Sequence, residues 1–103
     1  MASVIWTEPA SKDINDITEY ISRDSVYYAS KLTKNIFEIT ASLGKYPDIG
    51  KPVPELSPSN YKEILFKKYR IIYRIELSNI YIISVHHSSR LLSNNETFKD
   101  IFE

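Results

Sequence analysis

Apolar residues recur with a helical period in the first half of the chain and with a strand period in the second. Ala10, Ile14, Ile17 and Ile21 are spaced four, three and four apart, one stripe of an amphipathic helix. Asp13, Asp16 and Glu19 fall away from that stripe. Thr7 is the expected N-cap, because its hydroxyl can accept from a free N–H of the first turn. Glu8 and Pro9 suit the first turn, where a carboxylate complements the dipole and a missing N–H costs little. Residues 22–25 break the pattern, and Asp24 or Ser25 can cap a new helix. Ala29, Leu32, Ile36, Ile39 and Leu43 then predict that second helix over residues 26–43, with Gly44 as its stop. The short link makes the pair an antiparallel helical hairpin.

A short β-prone run, Ser3–Trp6, precedes the helices. Residues 46–60 carry Pro47, Gly50, Pro52, Pro54 and Pro58, which predicts a loop. Three strands are expected after it, over Tyr61–Phe66, residues 69–77 and residues 80–87. In the middle strand Tyr69, Ile71, Tyr73, Ile75 and Leu77 share one face, and Arg70, Ile72, Arg74 and Glu76 the other. Ser78-Asn79 is the expected hairpin turn, since asparagine tolerates positive φ. Residues 94–102 predict a short C-terminal helix carrying Phe98, Ile101 and Phe102. The expected architecture is α+β: a small antiparallel sheet in the order β-α-α-β-β-β, packed by one face on the N-terminal helical hairpin. The other face is expected to be free to act. The 103 residues suit a single domain, 1–103, with one modest core.

Charge changes this picture, although the formal net charge is zero. Residues 1–30 carry five carboxylates against two basic side chains; residues 51–90 carry seven basic side chains against three carboxylates. An acidic helical half therefore meets a basic strand half, which can attract a polyanion or an acidic protein surface. Lysine on a strand edge also serves to block edge-to-edge pairing. There is no cysteine, so disulfides and thiol chemistry are excluded and the cytoplasm is the expected compartment. The N-terminus lacks a signal pattern, and no apolar run is long enough for a bilayer, so no membrane role is expected.

The candidate chemistry lies in the last two strands. With a Ser78-Asn79 turn and no bulge, Arg70 lies opposite His87, and Arg90 comes just past the strand end. Arg70, His87 and Arg90 would then gather at one end of the sheet, with Arg74 on the same face; a single bulge would put His86 in the place of His87. Such a cluster suits RNA cleavage: histidine as acid or base, arginine as fixed charge for a phosphorane. Arg74, Lys67, Lys68 and His86 are the accompanying candidate binding residues. The competing reading is structural, with Arg70 and Arg74 paired to carboxylates such as Glu63 and Glu76. His86 and His87 point to opposite faces and make poor joint ligands, so no metal is expected. No cofactor motif is present, and Ser88-Ser89 lacks the strand-turn-helix setting of a nucleophile.

Val4-Ile5-Trp6-Thr7-Glu8-Pro9-Ala10, then Asp13 to Ile17 and Tyr20-Ile21, open a longer pattern. Tyr46-Pro47-Asp48-Ile49-Gly50, Tyr69-Arg70-Ile71-Ile72-Tyr73-Arg74-Ile75 and Val85-His86-His87-Ser88-Ser89-Arg90-Leu91 complete it. In this order the set resembles the RelE/ParE superfamily of bacterial toxins. The resemblance implies the toxin of a type II toxin–antitoxin module, often serving plasmid stabilisation. It implies a cognate antitoxin as partner, with operator DNA reached only through that antitoxin. Arg70 matches the arginine that RelE-like ribosome-dependent mRNA endonucleases use, and Arg90 a later basic position. RelE-like nucleases often place a tyrosine after the last strand; this chain has none after Tyr81, where His87 would have to substitute. The helical hairpin and the His-x-x-Arg ending are closer to ParE-like members, which poison DNA gyrase and are not known as nucleases. The expectation is ParE-like, with the RelE-like ribonuclease, acting on ribosome and mRNA, as the alternative.

Overall fold

The computed structural model describes residues 2–103. Strand β1 (Ser3–Trp6) leads through Thr7 into helix α1 (Glu8–Ser22). Thr7 caps that helix by accepting from Ala10 N–H, and its hydroxyl donates to Ile82 C=O at 2.7 Å. One side chain thus starts the helix and ties it to the sheet. Helix α2 (Val26–Ser42) begins at Ser25, whose Oγ accepts from Tyr28 N–H. The helices touch along their stripes and through a 2.6 Å hydrogen bond between Thr18 and Thr33.

The remaining strands are β2 (Lys51–Pro52), β3 (Tyr61–Phe66), β4 (Tyr69–Glu76) and β5 (Asn79–His87), and a last short helix, α3, covers Lys99–Phe102. Sheet order is β1-β5-β4-β3-β2. β3, β4 and β5 pair antiparallel, as expected, and β2 adds antiparallel to β3, but β1 pairs parallel with β5, Ser3 opposite Asn79 and Trp6 opposite Ile82. The sheet is therefore mixed. β1 has no neighbour in sequence to form a hairpin with, so it finds the one open edge beside the helices. The expected loop contributes Lys51–Pro52 as an edge strand, a position where proline's missing N–H is tolerated.

One sheet face packs on the helices through Ile71, Tyr73, Ile80, Ile82 and Val85 against Ala10, Ile14, Leu32, Ile36 and Leu43. Each isoleucine fully buried here contributes roughly 1.5–3 kcal/mol. The opposite face is not free, contrary to expectation. Val53 and Leu56 from the proline-rich segment, with Leu92 and Phe98 from the tail, cover Ile72 and Ile83 in a second core. The tail does this mainly as two 3-10 turns, Leu92–Asn94 and Glu96–Phe98, so α3 is shorter than the predicted helix. Asn95 breaks it by capping: its Oδ1 accepts from Thr97 N–H.

Gly50 is fixed by a close approach. Its N–H donates to the Tyr73 hydroxyl at 3.0 Å, and that hydroxyl donates to Pro47 C=O at 2.7 Å. A Cβ on Gly50 would lie 2.5 Å from the Tyr73 oxygen and 2.8 Å from Glu63 O.

Candidate functional site

The register of β4 against β5 decides which chemical side chains meet. The turn is Leu77-Ser78, with Glu76 opposite Asn79. Further along, Tyr73 faces Ile82 while Ile72 faces Ser84, so Ile83 is an extra residue, a β-bulge. The bulge lets Ile82 and Val85 both enter the helix-side core while Ile83 enters the other. Past it, Arg70 pairs with His86 and Tyr69 with His87. The expected pairing of Arg70 with His87 is thus corrected. The turn lies one residue earlier than assumed and the bulge adds one residue on β5. His87 consequently lies on the helix side, away from Arg70.

On the face covered by the second core, Arg70 is buried and held by two carboxylates. Its Nη1 and Nη2 donate to Glu55 Oε2 and Oε1 at 2.8 and 2.7 Å, and its Nε donates to Glu63 Oε1 at 2.8 Å. The Arg70 hydrogen bonds hold Glu55 down at a pKa of about 2, and hydrogen bonding to Glu55 in turn raises that of Arg70. Arg74 donates to Glu76 at 2.8 Å and to the Tyr61 hydroxyl at 3.2 Å, with its guanidinium over the Tyr61 ring. Both arginines therefore make the carboxylate pairs of the structural reading, Arg70 to Glu63 and Arg74 to Glu76. Glu55 is the partner that sequence reasoning missed. It sits on a 3-10 turn, Pro54–Leu56, whose placement over the sheet depends on Leu56 burial.

His86 is buried beside Arg70. Asn95 Nδ2 donates to its Nδ1 at 3.0 Å, so the neutral ring carries its proton on Nε2 and donates it to Arg90 C=O at 3.0 Å. Both ring nitrogens are thereby used. The same Asn95 amide donates to Ser84 Oγ, and Ser84 Oγ donates to Asp13 Oδ2 at 2.8 Å. Asp13 also accepts from Val85 N–H at 3.0 Å, and its burial raises its pKa. Asp13, Ser84, Asn95 and His86 thus form one chain across the bulge, joining α1, β5 and the tail. Arg90 is exposed, with its backbone N–H donating to His87 C=O.

On the helix side, His87 stacks edge-on against Tyr69, ring centroids 5.4 Å apart. Its Nδ1 accepts from both the N–H and hydroxyl of Ser89, which places the neutral ring's proton on Nε2. Lys67 and Lys68 form the tight β3–β4 turn, Lys67 at φ 52°. They join His87 around a cleft of about 290 Å³ between the hairpin helices and the sheet end. The three proposed catalytic side chains are therefore not assembled as one cluster. Arg70 lies under the second core, His87 in the helix-side cleft, and Arg90 outside both. Among the described residues no group of three or more His, Asp or Glu side chains is placed to hold a metal, and no helix is long and apolar enough to cross a membrane.

Known proteins share this architecture. A chain of the chromosomal ParDE system from P. aeruginosa superposes with a TM-score of 0.72 at 21% identity, over 84% of this chain and 96% of that one. The toxin–antitoxin complex RelBE2 from Mycobacterium tuberculosis gives 0.64 at 20% identity, with the same coverages, 84% and 96%. At these identities the likeness is one of fold. In sequence, 92 residues, 88% of this chain and 100% of the relative, are 28% identical to Toxin RelE2 of Caulobacter vibrioides. Residues 4–92 match the family model described as ParE toxin of type II toxin–antitoxin system, parDE. With most of its length so matched, including β1, the helical hairpin and the whole β3–β5 unit, the chain belongs to the ParE toxin family of type II toxin–antitoxin systems.

Proposed function

We propose that this toxin arrests growth by binding and poisoning DNA gyrase in the cytoplasm, without an active site of its own, and that a cognate antitoxin neutralises it. The observation that carries this reading is the Arg70 guanidinium. Its Nε is engaged by Glu63 and both terminal nitrogens by Glu55, at 2.7–2.8 Å. An arginine so committed has no open fork for a phosphorane, which RNA cleavage needs. The separation of His87 from Arg70 by the sheet supports the same reading, as does the ParE description of the matched family. Assembly with an antitoxin is inferred by analogy with the ParDE and RelBE2 systems that share the fold.

The test is expression of the toxin alone in a bacterium, with mRNA integrity and DNA breaks monitored through growth arrest. The proposal expects DNA breaks with intact mRNA, and gyrase-dependent cleavage of supercoiled DNA by the purified toxin. Rapid mRNA cleavage without a DNA-damage response would make it the ribonuclease instead. Arg70 would then have to leave Glu55 on the ribosome to work with His87 and Arg90.

A further inference from the structure

The cleft beside His87 has a composition that the gyrase reading does not use. Its floor is apolar, from Ile21 and Leu32, and three rings, Tyr28, Tyr69 and His87, stand around it. Its charges are of one sign: Lys67 and Lys68 line it and no carboxylate does. Lys67 Nζ is held 5.3 Å from the Tyr28 ring centre and 5.6 Å from that of Phe66, so the cation is positioned before anything binds. Burial, then the neighbouring phenols of Tyr28 and Tyr20, push the Tyr69 pKa up, which keeps its hydroxyl a neutral donor. Lys67 also stands in the left-handed region, at φ 52°, where glycine would sit without strain.

We infer that this cleft binds a nucleotide, its base among Tyr28, Tyr69 and His87 and its phosphate on Lys67 and Lys68. Rings stack on bases irrespective of sequence, and ammonium groups serve phosphate as point charges. A volume of about 290 Å³ is at the small end for ligand sites and suits one such unit, not a whole helix. The nucleotide can be free or one residue of a single strand; the chemistry is shared. An acidic peptide carrying an aromatic anchor is the competing occupant. It uses the lysines but leaves the phenol and imidazole donors without base edges to bond.

The experiment titrates the full chain with AMP, with short fluorescein-labelled oligouridylate and oligothymidylate, and with a glutamate-rich peptide containing one tryptophan. Binding is read by anisotropy and by amide shifts at Tyr28, Tyr69 and His87. Saturable binding of AMP or of an oligonucleotide, with shifts confined to the cleft, supports the inference. AMP alone identifies a free nucleotide as the source, and oligonucleotide with a log–log salt slope of about −1.4 identifies a strand held by two lysines. Lys67→Gly relieves the turn, so it folds at least as well, and it lowers affinity with the slope roughly halved. Tyr28→Ala weakens binding about tenfold. No nucleotide binding at low salt, binding unchanged in both variants, or binding of the peptide alone overturns the inference. Gyrase is absent from every arm, so failure of the gyrase reading leaves this result standing, and the reverse holds.

Discussion

Arg70 and Glu55 meet through two parallel hydrogen bonds of 2.8 and 2.7 Å, on a sheet face roofed by the proline-rich segment. The third donor, Nε, reaches Glu63, only 4% exposed. Removing the cation leaves Glu63 charged, buried and alone, which typically costs about 3–5 kcal/mol. Arg70→Met is expected to lose stability on that scale in urea unfolding. Arg70→Met with Glu63→Leu should recover most of it, because an apolar pair of similar volume often replaces a buried ion pair without loss. A double variant as unstable as the single one would show that the pair is not the cause. The double variant is also the proper test of toxicity, since it removes the guanidinium while keeping the fold.

The same contact sets an acid limb. Hydrogen bonding to Arg70 lowers the Glu55 pKa from 4.5 to about 2. A carboxylate with a depressed folded-state pKa stabilises the fold fully above its unfolded value and loses that contribution as pH falls through its folded one. Arg70 remains charged throughout. Thermal midpoints should therefore decline between pH 4.5 and about 2, and Glu55→Gln should decline less over that window. The difference is modest, because Glu55 is 38% exposed and solvent screens the pair. Parallel curves for the two proteins would remove Glu55 from the account.

Local signals in the sequence carried most of these elements; the exact β4–β5 turn, the 3-10 form of the tail and the non-local pairing escaped them. Thr7 and Ser25 act as caps through their own hydroxyls, a property of each residue and its next three neighbours. The stripes of α1 and α2 are buried at Ala10, Ile14, Ala29, Leu32 and Ile36. Arg70 with Glu63 and Arg74 with Glu76 were legible as charge pairs within adjacent strands or one strand. The Ile83 bulge was not, because an unbroken run of apolar residues from Ile80 to Ile83 fits either face in either register. That residue, together with a turn at Leu77-Ser78 and not Ser78-Asn79, placed His86 opposite Arg70 and His87 at the cleft. Nor could local pattern show the second core, which joins Val53 to Phe98 across most of the sheet.

Asp13 explains how the bulge is tolerated. Its Oδ2 accepts from Val85 N–H at 3.0 Å and from the Ser84 hydroxyl at 2.8 Å, standing in for a ladder partner. Asp13→Ala leaves these buried donors unsatisfied, an expected loss of about 1–3 kcal/mol. Asp13→Asn retains an acceptor oxygen and should lose much less. Burial raises the Asp13 pKa against the lowering by its Ser84 and Val85 hydrogen bonds. Hydrogen exchange at the Val85 amide should accelerate in Asp13→Ala and stay slow in Asp13→Asn. Equal protection in all three proteins would mean that another group satisfies this amide.

Leu77 opens the β4–β5 turn at φ 54° and is 100% exposed. The left-handed conformation costs a residue with a Cβ roughly 1–2 kcal/mol, and burial returns nothing at a fully exposed position. Leu77→Gly removes the strain but adds freedom to the unfolded chain, so the expected net gain is about 0.5–1 kcal/mol. Asn is the second choice, since it enters this region more readily than leucine. Chemical denaturation of both variants checks the order: glycine first, asparagine next, wild type last. If neither gains, the turn relaxes in solution without cost to Leu77. If both gain stability and the toxin then arrests growth less, the strained leucine is an exposed anchor for a partner, held at the hairpin tip at the expense of the fold.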